Sequence, residues 1–440
     1  MSLFHSKIYR ALLFDEEVGA LFSDDAEINA MLQVEGALAK VQGELGVIPQ
    51  ASALAINAAM AEIKIDPASL ANATATAGVP VPELVAAIRR AMQSAEHAQY
   101  LHWGATSQDI MDTALVLRLR RVCNLVENRL RQLLHEFAIQ AEKYTDLPMA
   151  ARTRTQIATP TSFGAVMVSW GAPLLDHLDV LAQLKPRLLR VSLAGASGNA
   201  TALGDRVAEQ RAALASELGL GDSALPWHNN RTALVEFASL LTRINGSLAK
   251  FAEDHLLATQ PEVAELLISA GGGSSTMPQK NNPVMSETIV SLFPLAKAMD
   301  GLMTQAVSHR QQRDGVAWSL EWHALPQICL AAAKSLTLAI KLAETLQPNT
   351  EKMLMNLEGE NGFIYAEAIS FKLAEIMPRP QAQKRIKELC GIALDQQRHL
   401  PELVAEQYPD IDWEEVTKPA AQMGDAVAQV QRFVAMVKSI

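Results

Sequence analysis

The segment from residue 271 to residue 283 carries the side chains with the clearest potential for chemistry. Gly271–Gly273 leave the backbone free to change conformation, whereas Pro278 and Pro283 stiffen the other end and fit poorly inside a helix. Between them lie two hydroxyls, a lysine and two amides: Ser274, Ser275, Lys280, Asn281 and Asn282. This combination favours a loop that binds an anionic substrate, although a plain Gly/Ser/Pro linker has a similar composition.

A second polar loop, residues 102–109, stands directly before a long helical pattern. Thr106 and Ser107 are typical helix caps. The free N–H groups of a helix N-terminus, with hydroxyls beside them, also make a ready site for a carboxylate. His102 adds little by itself, because single histidines are commonly structural. The loop therefore predicts either a capped helix or a carboxylate-binding helix N-terminus.

A third polar segment contains two arginines two residues apart, Arg152 and Arg154, followed by Gln156 and by Thr159–Thr161. Guanidinium groups bind carboxylates through two parallel hydrogen bonds, so this pair suits a substrate with several carboxylates. The alternative is a solvated surface turn.

Long helical patterns must position these three segments. Apolar residues recur at steps of three and four over residues 27–45, 113–144, 162–191, 231–269, 283–312 and 324–346. A helix over residues 113–144 would be about 48 Å long and would need a bundle to cover it. Alternating strand patterns are scarce. We predict an all-α fold in three parts: an N-terminal helical domain (1–108), a central long-helix bundle (109–347) and a C-terminal helical domain (348–440).

Composition excludes several classes of function. The net charge of −10 argues against nucleic acid or an anionic membrane as the partner. We find no run of 18 or more apolar residues and no apolar signal segment near the N-terminus, so no membrane span is expected. The three cysteines lie far apart without metal-ligand spacing, which is typical of free thiols in a reducing compartment. We predict a cytoplasmic protein.

Residues 273–283 resemble the signature of the fumarase/aspartase superfamily. The other two polar segments fall in the order in which that superfamily keeps its other characteristic segments, and the resemblance covers nearly the whole chain. It implies a homotetramer with a core of twenty helices, five from each subunit, and active sites shared between three subunits. It implies no metal and no organic cofactor.

Within the superfamily, the chain is most similar to the bacterial 3-carboxy-cis,cis-muconate cycloisomerases. The segments that carry this resemblance are residues 102–113, 195–204, 226–240, 318–326 and 396–400. The implied reaction closes a tricarboxylate diene to carboxymuconolactone in the protocatechuate branch of aromatic breakdown, the beta-ketoadipate pathway. One carboxylate adds across a double bond, and the resulting aci-carboxylate is protonated at carbon.

The resemblance also implies roles for individual residues. Ser274 would transfer the proton, while Lys280 and Asn282 would stabilise the charge of the aci-carboxylate. The expected substrate-binding residues are His102, Thr106, Ser107, Gln108, Arg152, Arg154, Gln156 and Arg231.

Five positions depart from the superfamily pattern. Arg154 stands where adenylosuccinate lyases carry a histidine and the cycloisomerases usually carry a tryptophan. Gln279 and Asn281 replace a frequent His and Arg, and Gln311–Gln312 replace a more typical His-Glu. These changes leave three alternatives open: a cycloisomerase for a substituted muconate such as 3-sulfomuconate, an adenylosuccinate lyase-like enzyme, and an inactive binding protein such as the lens crystallins related to argininosuccinate lyase.

Overall fold

The computed structural model describes residues 6–269, 271–273, 276–359 and 361–440, and over these residues the chain is predominantly helical. The strands of this part of the chain form three two-stranded antiparallel sheets. The predicted all-α fold class is confirmed.

The helices and strands follow one another in a simple order. The N-terminal helices are α1 (Arg10–Leu13), α2 (Glu16–Leu21), α3 (Asp24–Glu44), α4 (Gln50–Glu62), α5 (Pro67–Ala77), α6 (Val81–Met92) and α7 (Ala95–Ala98). The middle of the chain holds α8 (Ser107–Lys143), α9 (Phe163–Leu188), α10 (Val207–Leu218), α11 (Thr232–Ala258), α12 (Val284–Gln305) and α13 (Gly315–Glu344). The C-terminal helices are α14 (Thr350–Glu358), α15 (Ala366–Leu373), α16 (Arg379–Gln396), α17 (Leu400–Gln407), α18 (Glu414–Thr417) and α19 (Ala426–Lys438). The paired strands are β1 (Pro148–Thr153) with β2 (Gln156–Ser162), β3 (Leu266–Leu267) with β6 (Gln347–Pro348), and β4 (Gly272–Gly273) with β5 (Asn281–Asn282).

The ends of the long helices follow local chemistry. Helix α8, with 37 residues, begins at Ser107, and the Asp109 carboxylate reaches back to accept a hydrogen bond from the Thr106 N–H at 3.1 Å. Helix α13 begins earlier than the predicted residue 324, because the Asp314 side chain caps it by accepting from the Val316 N–H at 2.9 Å. A helix over residues 324–346 alone was therefore too short.

The predicted helix over residues 231–269 is wrong at its C-terminal end. Helix α11 stops at Ala258, before Pro261. A proline disfavours helical geometry in the residue before it. The chain then forms β3, which pairs with β6 through Leu266↔Pro348 and Leu267↔Gln347.

The chain packs as two compact units, each built from three separate segments. The first unit comprises Met1–Asn128, His177–Gly246 and Ser291–Ser335, and the second comprises Arg129–Asp176, Ser247–Val290 and Leu336–Ile440. The division into consecutive domains 1–108, 109–347 and 348–440 stays a prediction.

The core of the first unit forms around α3. This helix packs against α4 and α10 and buries Leu38, while Ile56, Leu84 and Ile88 of α4 and α6 are completely or almost completely buried. Each fully buried side chain of this size contributes about 1.5–3 kcal/mol. This core supports the start of α8 and the segment around Val191, both of which carry residues of the predicted site.

The second unit has an aromatic cluster and a separate C-terminal core. Phe137 and Phe251 meet edge to face with ring centroids 5.0 Å apart, and Trp170 lies 4.9 Å from Phe251. The C-terminal core contains Ile369 and Leu389, and Ala150 of β1 packs into it. This packing fixes the β1–β2 hairpin to the C-terminal helices.

The three cysteines are free thiols, as their spacing predicts. Cys123 and Cys329 are buried free thiols and Cys390 is a partly buried one, and burial raises the pKa of Cys123 to about 12.

Helix α13 is long and apolar enough to cross a membrane by composition alone, but 67% of its most apolar stretch is buried inside the protein, as in a core helix.

Candidate active site

A buried carboxylate organises the 102–109 loop in the first unit. Asp109 is 1% exposed and accepts hydrogen bonds from the backbone N–H groups of Thr106 (3.1 Å), Ala194 (2.8 Å) and Gly195 (2.9 Å) and from the hydroxyl of Ser192 (3.2 Å). Burial raises the pKa of Asp109, and the N–H donors oppose that rise. Asp109 therefore joins the N-terminus of α8 to the segment 192–195.

Gln108 positions an arginine that the sequence did not assign to the site. Its side chain is buried, and its Nε2 donates to the backbone oxygen of His228 at 2.8 Å. Its Oε1 accepts from Nε of Arg313 at 2.7 Å. Because both ends of the amide are used, Gln108 suits a positioning role better than direct substrate binding.

Arg313 brings a positive charge to the N-terminus of α8. Its Nη1 donates to the hydroxyl of Thr106 at 3.4 Å, and its Nη2 is buried without a hydrogen-bond partner among the described residues. Thr106 and Ser107 are both partly buried at the same helix end. A guanidinium, a hydroxyl and a helix N-terminus together form an arrangement that binds anions.

Two histidines of the first unit also lack partners. Both ring nitrogens of His228 and of His309 are buried and make no hydrogen bond within the described residues. Burial, followed by the charge of Arg313, lowers the pKa of His228, and burial, followed by the charge of Arg231, lowers that of His309. The sequence predicted no role for Arg313, His228 or His309, although His228 and Arg313 lie in segments that already stood out in the sequence.

His102 points towards α3. Its Nδ1 lies 2.6 Å from Oε1 of Glu35, a carboxylate that is 1% exposed. Burial lowers the pKa of His102, but the hydrogen bond and charge of Glu35 outweigh this effect and raise it above its ordinary value. The ring is thus held as a cation or as a strong donor to Glu35.

Arg231 lies in a buried ion-pair network, and its predicted role in substrate binding stays a prediction. Its side chain is completely buried, and its guanidinium makes four hydrogen bonds of 2.6–2.9 Å to Asp112 and Glu321. The three side chains join α8, the start of α11 and α13. Arg231 therefore connects these helices through four of its five N–H groups, and burial raises the pKa of Glu321 beside it.

The second unit shows that the segment around Arg152 is a hairpin, not the loop that was predicted. Strands β1 and β2 pair from Pro148↔Ser162 to Thr153↔Gln156. Arg154 and Thr155 form the two-residue turn with positive φ angles of 51° and 69°. Positive φ is unusual for a β-branched residue such as Thr155, and strained turns of this kind concentrate at functional sites.

The arginines of this hairpin have different surroundings. Arg152 forms a bidentate ion pair with Glu265, with both N···O distances at 2.7 Å, and the Glu265 side chain is 1% exposed. Asn356 donates to the same carboxylate at 3.0 Å. Arg152 therefore has a role in the fold, and its predicted role in substrate binding stays a prediction. Arg154 and Gln156 are exposed, and Arg154 makes no ion pair within the described residues.

The 271–283 loop is closed at its base by β4 and β5. Gly272 pairs with Asn282, and Gly273 pairs with Asn281. A Cβ at Gly271 would lie 1.9 Å from Oδ1 of Asn281, so the Asn281 side chain would have to move to make room for it. Lys280 is exposed and Asn282 is partly buried. Ser274 and Ser275 lie outside the described residues, so the role of Ser274 stays a prediction.

Within the described residues, no group of three or more His, Cys, Asp or Glu side chains is arranged to hold a metal ion. The described residues of the predicted site divide between the two units: His102, Thr106, Ser107, Gln108 and Arg231 lie in the first, and Arg152, Arg154, Gln156, Lys280 and Asn282 lie in the second. Arg313, Gln108 and Thr106 are brought together in the first unit, and Lys280 and Asn282 share one short loop in the second.

Comparison with known proteins places these groups in a family. A family model described as lyase matches residues 15–293. The 3-carboxy-cis,cis-muconate cycloisomerase of Pseudomonas aeruginosa is 38% identical over 441 residues, which cover 98% of this chain and 96% of that protein.

The chain belongs to this lyase family. The predicted membership of the fumarase/aspartase superfamily is confirmed. Two solved structures of the superfamily agree with its fold. The 3-carboxy-cis,cis-muconate lactonizing enzyme from Pseudomonas putida matches with a TM-score of 0.93 and 34% identity, covering 99% of both chains. The beta-carboxy-cis,cis-muconate cycloisomerase from Acinetobacter calcoaceticus matches with a TM-score of 0.91 and 31% identity, covering 98% of this chain and 100% of that chain.

Proposed function

We propose that this enzyme lactonises 3-carboxy-cis,cis-muconate to carboxymuconolactone. The observation that carries the proposal is the likeness over 98% of the chain to a relative named for this reaction, at 38% identity. The charged Arg313 at the N-terminus of α8, with one buried N–H group still unpaired, supports a substrate that bears carboxylates. The product belongs to the breakdown of aromatic compounds.

The chemistry requires stabilisation of charge and delivery of one proton. A substrate carboxylate oxygen bonds to one carbon of a conjugated double bond, and the electron pair of that bond moves onto the neighbouring carboxylate. The resulting aci-carboxylate then takes a proton at carbon, on the face opposite the new C–O bond. No oxidant or reductant takes part, since the substrate and the lactone are isomers.

Three residues of the 271–283 loop are proposed to carry this step. Ser274 transfers the proton, and an ordinary hydroxyl can do so only if its alkoxide is stabilised by backbone N–H groups and a nearby cation. Lys280 and Asn282 stabilise the aci-carboxylate. The exposed Lys280 and the glycine-rich backbone support this assignment. Removing one preorganised donor of this kind costs about 10²–10³ in rate.

The remaining carboxylates of the substrate are proposed to bind at two places. In the first unit, Thr106, Ser107 and Arg313 hold one of them at the start of α8, positioned by Gln108 and Asp109. In the second unit, the exposed Arg154 and Gln156 at the hairpin tip are available for another.

We propose that a homotetramer assembles these parts, with each site shared between three subunits. The tetramer follows from the superfamily, and the division of the predicted site residues between two units of the chain is compatible with it. The protein is proposed to act in the cytoplasm without a metal or organic cofactor.

A parallel spectrophotometric assay tests the function. The purified enzyme is incubated separately with 3-carboxy-cis,cis-muconate, 3-sulfomuconate, adenylosuccinate and fumarate, and the loss of diene absorbance or the change in fumarate absorbance is recorded. Turnover of the carboxymuconate in preference to the others is expected. Turnover of adenylosuccinate without turnover of either muconate would contradict the proposal. Faster turnover of 3-sulfomuconate than of the carboxymuconate would identify 3-sulfomuconate as the substrate.

A further inference from the structure

Half of the unpaired buried polar atoms in the described residues belong to three neighbouring side chains. Ten buried side-chain nitrogen and oxygen atoms there have no hydrogen-bond partner, and five of them are Nδ1 and Nε2 of His228, Nδ1 and Nε2 of His309, and Nη2 of Arg313. Native proteins pair nearly all such groups with protein, ligand or ordered water. A concentration of this kind marks a place where a polar ligand completes the hydrogen bonds.

The position of the His228 ring is built into the fold. Gly198 packs against it with a φ of +85°, and a Cβ at that position would come within 2.5 Å of Cε1 of the ring. The backbone oxygen of His228 is held by Gln108, which also holds Arg313. The backbone of Gln312 lies near the ring and acts to raise the pKa of His228. It makes no hydrogen bond of normal geometry with either ring nitrogen.

The charges around the two rings favour an anion. Asp112 is engaged by Arg231, Asp314 by Arg310, and Asp109 by backbone N–H groups. Arg313 is the cation of this cluster with an N–H group still unpaired in the described residues. A neutral imidazole offers one N–H donor, so the two imidazoles add donors for an anion without adding positive charge to that of Arg313.

We propose that His228 and His309 contact the substrate, and that with Arg313 they form the subsite for one of its carboxylates. Each ring donates one N–H to a carboxylate oxygen, and Arg313 supplies the charge. The proposal rests on the proposed function for the identity of the substrate, but the subsite itself requires only a carboxylate ligand. The three residues then determine how tightly the substrate binds, and the 271–283 loop determines how fast it reacts.

The variants His228→Leu and His309→Leu test this role, with His323→Leu as the matched control. His323 is an exposed histidine on α13 of the same unit. Loss of a hydrogen bond to a charged group should raise KM for 3-carboxy-cis,cis-muconate by about tenfold or more, with a smaller change in kcat. Because leucine removes unpaired polar atoms, the ligand-free variants should melt at the same temperature as the wild type or higher. The control should match the wild type in both respects.

Two results separate this inference from the proposed function. If the wild type turns over the muconate and both variants keep its KM within twofold, water alone pairs these nitrogens and the subsite is refuted. If the wild type does not turn over the muconate, binding of the tricarboxylate tricarballylate is followed by thermal shift. A stabilisation that is present in the wild type and the control but lost in both variants would support the carboxylate subsite and contradict the proposed function. Equal stabilisation in all four proteins would reject the subsite as well.

Discussion

Replacing Asp109 by asparagine should loosen the segment that supports the N-terminus of α8. Oδ1 accepts from the Ala194 N–H and the Ser192 hydroxyl, and Oδ2 accepts from the Gly195 and Thr106 N–H groups. Each carboxylate oxygen accepts from two donors. The amide nitrogen of asparagine is itself a donor, so at either position it would face two donors and accept from neither.

The less costly orientation puts the amide nitrogen at the Oδ1 position. The Ser192 hydroxyl can rotate and accept a hydrogen bond from it, but the Ala194 N–H is left buried without a partner. An unsatisfied buried donor costs about 1–3 kcal/mol. Burial disfavours the charged carboxylate and so raises the pKa of Asp109. The neutral amide of asparagine avoids this cost of burying a charge, which keeps the expected loss within that range.

Hydrogen exchange and urea denaturation measure this loss at two levels. The free energy of unfolding of Asp109→Asn should fall by about 1–3 kcal/mol, and exchange of the Ala194 and Gly195 amides should accelerate by a corresponding factor of about 5–150. Asp25→Asn, an exposed acid in the first turn of α3, is the control and should change the stability by less than about 0.5 kcal/mol. Equal stability and equal exchange in the two variants would refute this account of Asp109.

Three further substitutions have defined outcomes in urea denaturation at matched protein concentration. Arg152→Ala leaves the buried Glu265 carboxylate without its cation and should lower the free energy of unfolding by about 3 kcal/mol. The control Arg154→Ala removes an exposed arginine and should change the free energy of unfolding by less than about 0.5 kcal/mol. Equal losses in the two variants would show that the ion pair contributes nothing. His255 has its pKa lowered to about 4 by burial, against about 6.5 when unfolded. Its neutral form therefore contributes stability that is complete above pH 6.5 and is lost as the pH falls towards 4. Relative to His255→Leu, the wild type should lose about 2 kcal/mol between pH 7 and pH 5, and a difference independent of pH would exclude this explanation. Arg231→Met leaves two buried carboxylates without their cation and should cost about 3–5 kcal/mol, so a stable variant would disprove the structural role of Arg231.

The helices were predictable because each long one has a periodic apolar face and local end signals. The start of α8 is encoded within four residues, where Asp109 reaches back to Thr106. The hairpin was not predictable from its turn, because Arg154 and Thr155 replace the Asn-Gly or Asp-Gly pairs that usually mark such turns.

The roles of individual arginines depended on partners that are distant in sequence. Arg152 pairs with the carboxylate of Glu265, which lies 113 residues away in the sequence. Arg231 likewise pairs with Asp112 and Glu321, which are distant from it in the sequence. The unpaired rings of His228 and His309 are a property of the packed structure, which spacing alone does not reveal.

The most direct test of the central claim is the rate of lactone formation from 3-carboxy-cis,cis-muconate by Ser274→Ala, with Ser275→Ala as the neighbouring control. Ser274→Ala should lose a factor of about 10²–10⁴ in kcat while it still binds the substrate, because the proton-transfer group is gone. Ser275→Ala should retain most of the rate. A Ser274→Ala enzyme with kcat within tenfold of the wild type would contradict the claim and move the proton transfer to another residue.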